Sequence, residues 1–283
     1  MSRDPGLGSP APSVDLYNHA YGDFTSTTEA AVRTATYGED IGQTGWLTAE
    51  EWLGFADQVG VTAGTEVLEI GSGSGGPAVY LALSRGCRLM GVDINEHGVR
   101  NATLLAEARG VADRTQFRRV DASQPLPFAA GSFDAIMSND AMCHIAQRLE
   151  VLRDWQRVLR PGGRMLFTDA MVLTGIVSHE ELATRSSIGF YLFVPPGENE
   201  RLIRQAGLEL LGVHDVTDNA ALLSRRRHEA RAAHREALLA REGEANFEGL
   251  QRFLACVHTL SSERRLSRYA YLAQKPGAGS LRP

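Results

Sequence analysis

Short apolar runs alternate with longer amphipathic stretches through much of the chain, a pattern typical of strands that alternate with helices. Residues 49–59 place Trp52, Phe55 and Ala56 at the spacing of a core-facing helix. Apolar runs that end in polar or acidic residues predict five strands, at 65–70, 87–94, 115–122, 131–140 and 158–169. With 283 residues, the chain is long enough for one α/β domain with an elaboration.

The pattern after the fifth strand is less regular. Ser178 is a helix-capping residue type and begins a predicted helix that runs to Arg185. A compact apolar patch follows at 190–194. The remaining predicted elements are a helix at 199–206, a strand at 208–215, an arginine-rich helical stretch at 220–258 and an alternating strand at 268–273.

The first predicted strand runs directly into a glycine-rich turn, which indicates a nucleotide-binding loop. Gly71, Gly73 and Gly75 allow positive φ angles and let the backbone approach a ligand without an intervening Cβ. Pro77 suits the first turn of the helix that follows, and the amides at this helix start would face the ligand. The loop is therefore the first candidate for a ligand site.

Two kinds of cofactor site are compatible with this loop. Gly71, Gly73 and Gly76 also have the G-x-G-x-x-G spacing of a dinucleotide site, which would make the protein an NAD-dependent oxidoreductase. Glu69 favours an amino-acid-bearing cofactor, because a carboxylate two residues before the first glycine can reach an amine and would repel a pyrophosphate. Asp93 ends the second strand, where it would accept hydrogen bonds from ribose hydroxyls in either kind of site.

From about residue 40 to residue 215, the chain resembles the class I S-adenosylmethionine-dependent methyltransferases. The resemblance lies in the order of the glycine loop, the spaced acids, the Ser-Phe-Asp strand at 132–134 and the Leu-Arg-Pro-Gly-Gly turn at 159–163. It implies an α/β fold with a Rossmann-like, doubly wound sheet of seven strands, parallel except for one, plus a helical cap and lid. It also implies that the cofactor is S-adenosyl-L-methionine.

The resemblance assigns cofactor-binding roles to individual residues. These residues are Glu69, Gly71, Gly73 and Asn139 at the methionine end, Asp93 at the ribose, Asp121 and Ala122 at the adenine, and Gly75 and Ile94 beside them.

The resemblance also divides the chain into segments. Because a last antiparallel strand is expected in this fold, the arginine-rich stretch is interpreted as an insertion that forms a lid with the N-terminal cap over the ligand crevice. The expected segments are a disordered leader at 1–13, a helical cap at 14–60, the cofactor-binding core at 61–219, the helical lid insertion at 220–262, the final strand of the core at 263–275 and a flexible tail at 276–283.

Composition and charge exclude several classes of function. A net charge of −5 gives no reason to expect nucleic-acid binding, and no stretch approaches the roughly 20 apolar residues of a membrane span. Cys87, Cys143 and Cys256 lack paired spacing, so neither a disulfide framework nor a zinc site is indicated. We therefore expect a cytoplasmic enzyme without a bound metal that acts on a small molecule, and the sequence leaves homo-oligomerisation open.

Methyl transfer from a sulfonium requires alignment, exclusion of water and, for some acceptors, removal of a proton. For an amine or a phenol, His144 is the leading base, with Asp140 about one helical turn before it. Methylation of an alkene carbon gives a carbocation that must lose a proton. Glu180 or Glu181, beside the apolar patch at 190–194, would then accept it.

Two further groups of side chains are candidates for contact with the acceptor. Tyr17 and Tyr21 in the N-terminal cap would donate hydrogen bonds or stabilise a cation. The arginines of the predicted lid would either bind a phosphate, diphosphate or carboxylate of the acceptor, or form a solvated helix face. These arginines are Arg225, Arg226, Arg227, Arg231, Arg235 and Arg241.

Two classes of acceptor compete within the methyltransferase interpretation. Residues 37–46 look like the corresponding segment of sarcosine/dimethylglycine methyltransferases, which implies an amine of the glycine-betaine route. The arginine-rich insertion and the apolar patch depart from that pattern and favour a bulkier natural-product or isoprenoid-type acceptor, methylated at carbon, oxygen or nitrogen. A relative that binds S-adenosylmethionine without turnover is a third hypothesis, beside the oxidoreductase.

Overall fold

A single mixed sheet of seven strands organises the protein in a computed structural model that describes Phe24 and residues 26–277. The strands are β1 (Glu66–Ile70), β2 (Arg88–Asp93), β3 (Thr115–Arg119), β4 (Phe133–Ser138), β5 (Leu159–Leu173), β6 (Glu209–Asp215) and β7 (Leu266–Gln274). Their order is β3-β2-β1-β4-β5-β7-β6, and β7 runs antiparallel to both of its neighbours. The predicted fold class, a doubly wound seven-stranded sheet with one antiparallel strand, is therefore confirmed.

Helices connect these strands and add a cap and a lid. They are α1 (Thr27–Tyr37), α2 (Ala49–Val59), α3 (Gly76–Arg85), α4 (Glu96–Ala108), α5 (Arg148–Val158), α6 (His179–Arg185), α7 (Glu198–Gln205), α8 (Thr217–Ala233) and α9 (Arg235–Ser262), with a 3₁₀ turn at Met142–His144. The helical stretch predicted at 220–258 is thus two helices separated at His234, and Gly243 interrupts the second with φ 77° and ψ 164°.

Two apolar cores lie on opposite faces of the sheet, because successive residues of a strand point to opposite sides. Val67 of β1 packs on one face with Trp52 of α2. The next residue, Leu68, packs on the other face with Trp155 of α5. Burial on both faces explains why these parallel strands are continuous apolar runs rather than alternating ones.

The lid consists of α8 and α9, which pack on each other, with α1 against α8. Arg231 is buried inside it, where it pairs with Glu242 and lies 5.3 Å from the ring centre of Phe247. Two other arginines of the lid form exposed pairs, Arg225 with Glu229 and Arg235 with Glu248. Arg225 and Arg235 therefore agree with a solvated helix face, whereas Arg231 has a buried structural role inside the lid.

Several expectations concern parts of the chain that are not described. Tyr17, Tyr21 and the leader at 1–13 lie outside the described residues, and so does most of the tail at 276–283. The segment boundaries given above stay predictions. Across residue 24 and residues 26–277, no helix has both the length and the apolar character needed to cross a membrane.

Candidate active site

The carboxyl ends of the central parallel strands open into a cavity of about 570 Å³. This is the edge at which open α/β sheets bind their ligands. The wall of the cavity combines the glycine loop, the segment 42–46, the turn that follows β4 and side chains of the lid. A volume of this size is within the range of small-molecule sites, about 300–1,000 Å³.

The glycine loop follows a backbone path that side chains would obstruct. Gly71 has φ 76°, and a Cβ at this position would lie 2.7 Å from the Cβ of Ala141. Gly71 and Gly73 line the cavity, whereas Gly75 is the cap residue of α3. The loop therefore places backbone rather than side chains against a ligand, as predicted.

Gly76, the third glycine of the dinucleotide-type spacing, has a different task. A Cβ at this position would lie 2.1 Å from the carbonyl oxygen of Ile41 and 2.7 Å from the Cα of Gly42. The segment that precedes α2 thus packs directly on the start of α3. Gly76 allows this close approach, so the G-x-G-x-x-G spacing has a packing cause and is not evidence for a pyrophosphate.

Glu69 is a buried acid at the end of β1 that faces the cavity. Its residue is only 2% exposed, and its Oε2 atom has no hydrogen-bond partner among the described residues. Burial, reinforced by the charge of Asp93, raises the pKa of the Glu69 carboxyl well above its ordinary value. A cationic amine would satisfy the orphan oxygen and stabilise the ionised form, so the site fits a ligand that carries an amine.

Asp93 lies at the end of β2 and braces the glycine loop. Its Oδ2 accepts from the backbone N–H of Gly73 at 2.8 Å, and its Oδ1 accepts from the N–H of Asn95 at 2.8 Å. Burial raises the pKa of the Asp93 carboxyl, and these two N–H groups oppose the shift. A carboxylate oxygen has a further lone pair after one such contact, so Asp93 retains acceptor capacity for hydroxyl groups in the cavity.

Asp121 follows β3 at the same end of the cavity. Its Oδ1 accepts from the backbone N–H and the hydroxyl of Ser123, at 2.9 and 2.7 Å. The cavity wall here also includes Ile94 and Ala122. The structure thus brings together the residues that the resemblance assigned to the ribose and the adenine.

A buried charge network holds the two residues that follow β4. Arg268 of β7 donates to Asp140 at 2.9 Å, to both carboxylate oxygens of Glu51 at 2.9 and 2.8 Å, and to the Oδ1 of Asn139 at 2.7 Å. Asp140 also accepts from the hydroxyl of Thr168 at 2.8 Å. Asn139 and Asp140 both line the cavity, so this network sets their positions there.

His144 lies on the cavity wall at the end of the 3₁₀ turn. Its Nδ1 is 2.7 Å from the carbonyl oxygen of Phe190, and its ring lies 4.7 Å from that of Tyr191. A carbonyl oxygen can only accept, so Nδ1 donates and Nε2 is the basic nitrogen of the neutral ring. Burial lowers the pKa of His144 below its ordinary value of 6.5, although the Phe190 contact opposes the shift, which keeps the imidazole neutral at pH 7.

The segment that contains Phe190 is held by polar contacts at Leu192. The N–H of Leu192 donates to the carbonyl of Cys143 at 2.9 Å, and Arg148 donates to the carbonyl of Leu192 at 3.2 Å. Arg148 is held in turn by Asp169 at 2.6 Å. The segment beside the apolar patch therefore serves as a frame for the histidine turn.

The structure does not place the two predicted glutamates at the cavity. Glu180 is exposed on α6, outside the cavity wall. Glu181 completes a capping box with Ser178 and pairs with Arg265 at 2.7 Å. The hydrogen bond with Arg265 lowers the pKa of Glu181 to about 2. A carboxylate held in this way is a poor proton acceptor, so the structure does not support Glu181 as a base, and Glu180 lies away from the cavity wall.

We expect Glu181→Ala to lower the thermal unfolding midpoint and to leave the turnover number within about twofold of the original. The substitution removes a helix-capping interaction and an ion pair but no group of the cavity wall. Differential scanning calorimetry and initial-rate measurements on the same preparation check the two halves of the prediction. A fall in turnover of an order of magnitude without loss of folded protein would contradict it.

Sequence reasoning did not single out several residues of the cavity, although it named Arg227 as one of six candidate arginines. Arg185, from the end of α6, and Arg227, from α8, line it together with Trp46, Tyr191 and Phe253. Arg227 belongs to the arginine-rich stretch, but nothing in that run distinguishes it from its neighbours. No sequence feature near Arg185 indicated a place in the cavity, because its position depends on the packing of α6 against α9.

Comparison with known proteins identifies relatives of this chain. A family model described as a methyltransferase domain (Methyltransf_11) matches residues 68–167. The chain is 31% identical to 27-O-demethylrifamycin SV methyltransferase of Amycolatopsis mediterranei, over 79% of this chain and 78% of the relative. It is 34% identical to methyltransferase GfsG of Streptomyces halstedii over 57% of this chain, a match that spans 59% of that relative.

Among solved structures, the chain is similar to phosphoethanolamine N-methyltransferase 2 of Haemonchus contortus in complex with S-adenosyl-L-methionine. The TM-score is 0.76 at 21% identity, with coverage of 96% of this chain and 61% of that chain. At this level of identity the likeness concerns the fold, and it agrees with the sheet order described above.

Proposed function

The chain belongs to the S-adenosylmethionine-dependent methyltransferases that act on small molecules, and from that premise we propose that it methylates a hydroxyl oxygen of a bulky natural product. The family membership sets aside the NAD-dependent oxidoreductase. The observation that carries the proposal is the imidazole of His144 on the cavity wall, whose Nδ1 donates to the Phe190 carbonyl and leaves Nε2 as the basic nitrogen. A hydroxyl group that loses a proton on methylation requires such a base, as an amine does, and the choice of oxygen rests on the observations given below.

S-adenosyl-L-methionine supplies a methyl group that is already activated by its sulfonium. In our assignment, Glu69 binds the amine of the methionine end, because one oxygen of its buried carboxylate has no hydrogen-bond partner among the described residues. Asp93 receives the ribose, and Asp121 with Ala122 flanks the adenine. Asn139, anchored by Arg268, lies beside the methionine end.

We assign His144 as the base that takes the hydroxyl proton at its Nε2 atom. The Phe190 carbonyl fixes the tautomer, and burial keeps the ring unprotonated at neutral pH. Asp140 is a positioning residue in this proposal, because its carboxylate is shared with Arg268 and Thr168. The apolar and aromatic side chains of the wall, among them Ile188 and Phe253, would exclude water from the reacting atoms.

Two arguments favour an oxygen on a bulky acceptor. The carboxylates suggested for alkene methylation do not line the cavity, whereas His144 does. A relative that matches 79% of this chain is named 27-O-demethylrifamycin SV methyltransferase, a name that indicates methyl transfer to an oxygen of a natural product. Methylation of an amine is the competing outcome, and the cytoplasmic location and homo-oligomerisation stay predictions.

The experiment that tests the proposal is a screen with methyl-labelled S-adenosylmethionine. Hydroxylated macrolactones and aromatic polyketides form one panel, and glycine, sarcosine and phosphoethanolamine form the other. Label transferred to oxygen in the first panel supports the proposal, with mass spectrometry locating the methyl group. Label transferred only to nitrogen in the second panel would replace it with amine methylation. If label is transferred to neither panel although the cofactor binds, the result would favour a protein that binds S-adenosylmethionine without turnover.

We expect Asp93→Ala to weaken the binding of S-adenosylhomocysteine by about 10- to 100-fold. The variant loses the acceptor assigned to the ribose and also the contact that braces the Gly73 amide. Titration calorimetry with S-adenosylhomocysteine and, in parallel, with NAD measures the change. Asp113→Ala, which removes an exposed acid from the loop before β3, is the matched control and should bind like the original. Equal affinities for the two variants would remove Asp93 from the cofactor site.

A further inference from the structure

Arg185 is a buried cation without a matching anion. Its residue is 2% exposed, and its Nε and Nη1 atoms have no hydrogen-bond partner among the described residues. None of the salt bridges between described residues includes it. The acid closest to it in the chain, Glu181, is already paired with Arg265. Burying an unpaired charge is unfavourable, so a ligand that neutralises Arg185 would remove a substantial penalty.

Aromatic rings hold Arg185 in place at the cavity wall. The guanidinium carbon lies 5.0 Å from the ring centre of Tyr191 and 4.9 Å from that of Phe253. Cation–π contacts orient a guanidinium, but they supply no hydrogen-bond acceptor for its N–H groups, which lie in the plane of the guanidinium itself. The two rings therefore hold the guanidinium of Arg185 in place, and what it lacks is a hydrogen-bond acceptor.

The surroundings of Arg185 belong to the acceptor side of the cavity. Tyr191 contacts Arg185 on one hand and the ring of the assigned base, His144, on the other. The residues assigned to the cofactor come instead from the ends of β1, β2 and β3 and, for Asn139, from the end of β4. A group bound to Arg185 would therefore belong to the molecule whose proton His144 removes.

We propose that Arg185 binds a carboxylate of the methyl acceptor, so that the natural substrate is a hydroxylated acid with an aromatic or otherwise apolar body. This inference rests on the proposed function and adds the substrate class. A carboxylate carries the single negative charge that balances one guanidinium, whereas a phosphate carries about 1.5 to 2. The second arginine of the wall, Arg227, donates instead to the carbonyl of Thr44 at 3.1 Å.

The test uses two probes of nearly the same shape, 6-hydroxy-2-naphthoate, which is anionic, and 6-hydroxy-2-naphthamide, which is neutral. They are titrated into the full-length protein saturated with S-adenosylhomocysteine. We expect the acid to bind at least about tenfold more tightly than the amide. Arg185→Met, which keeps the apolar stem and removes the charge, should abolish this preference. Arg226→Met changes an exposed arginine of the lid and should retain it.

The affinity for S-adenosylhomocysteine is measured for every variant. It distinguishes failure of the carboxylate proposal from failure of the proposed function. If it is unchanged in Arg185→Met and the acid loses its advantage, the proposal is supported. Equal binding of acid and amide to the original protein, absence of binding included, overturns the carboxylate while the methyltransferase site stands. A large loss of S-adenosylhomocysteine affinity in Arg185→Met also overturns it, because Arg185 would then hold the cofactor. Absence of S-adenosylhomocysteine binding by the original protein would instead count against the proposed function.

Discussion

Replacement of His144 by asparagine is expected to lower the turnover number by about 10²- to 10⁴-fold, the usual contribution of a general base. Asparagine can still donate to the Phe190 carbonyl from its Nδ2 atom, so the turn after β4 keeps its frame. The variant loses the basic nitrogen assigned to the acceptor, together with the ring contact to Tyr191. Single-turnover measurements with the acceptor found by the screen give the rate of the chemical step.

The pH dependence of the reaction provides an independent readout of this role. A base must be unprotonated, so the rate falls as pH drops through the pKa of His144. Because burial lowers the pKa of His144 below 6.5, we expect a plateau from neutral pH upward and an acid limb below that value. The acid limb should be absent from the residual activity of His144→Asn.

Two controls distinguish loss of a base from general damage. His179→Asn makes the same change at an exposed position of α6 and should leave the rate unchanged. The affinity of His144→Asn for S-adenosylhomocysteine should match that of the original protein. A variant that retains full turnover with intact cofactor binding would show that the acceptor loses its proton without His144.

The geometry of the glycine loop and of the acids assigned to the cofactor was predictable because the signals are local. The glycine loop, the acid before it and the acid after β2 lie within one strand–turn–helix–strand unit, so short-range spacing encodes their geometry. Glu181 could have been assigned from the sequence as well. Ser178 and Glu181 have the spacing of a capping box, and a glutamate with that task is unsuited to proton transfer.

The acceptor half was not predictable in this way, because its contacts join distant parts of the chain. Arg268 and Glu51 are 217 positions apart, and nothing near either residue indicates the other. Arg185 depends on rings that come from the segment after α6 and from α9. Such positions are fixed by tertiary packing, which no periodicity of apolar residues records.

Arg268→Met is expected to reduce the free energy of unfolding by about 3–5 kcal/mol, the usual cost of removing one partner of a buried ion pair. The side chain of Arg268 is fully buried, and those of Glu51 and Asp140 are only 9% and 12% exposed. Burial already raises the pKa of Glu51 despite the presence of Arg268. Without the arginine, two carboxylates would lie close together with no cation. Urea unfolding measures the loss.

An exposed arginine, Arg264, provides the control for the stability loss expected of Arg268→Met. Arg264, which lies just before β7, forms two exposed ion pairs, with Asp215 and Asp218. Because exposed pairs contribute little, Arg264→Met should cost less than about 1 kcal/mol. Adding Glu51→Gln to Arg268→Met should restore part of the lost stability, since it removes one of the stranded charges. Equal losses for Arg268→Met and Arg264→Met would mean that the network positions Asn139 and Asp140 without stabilising the fold.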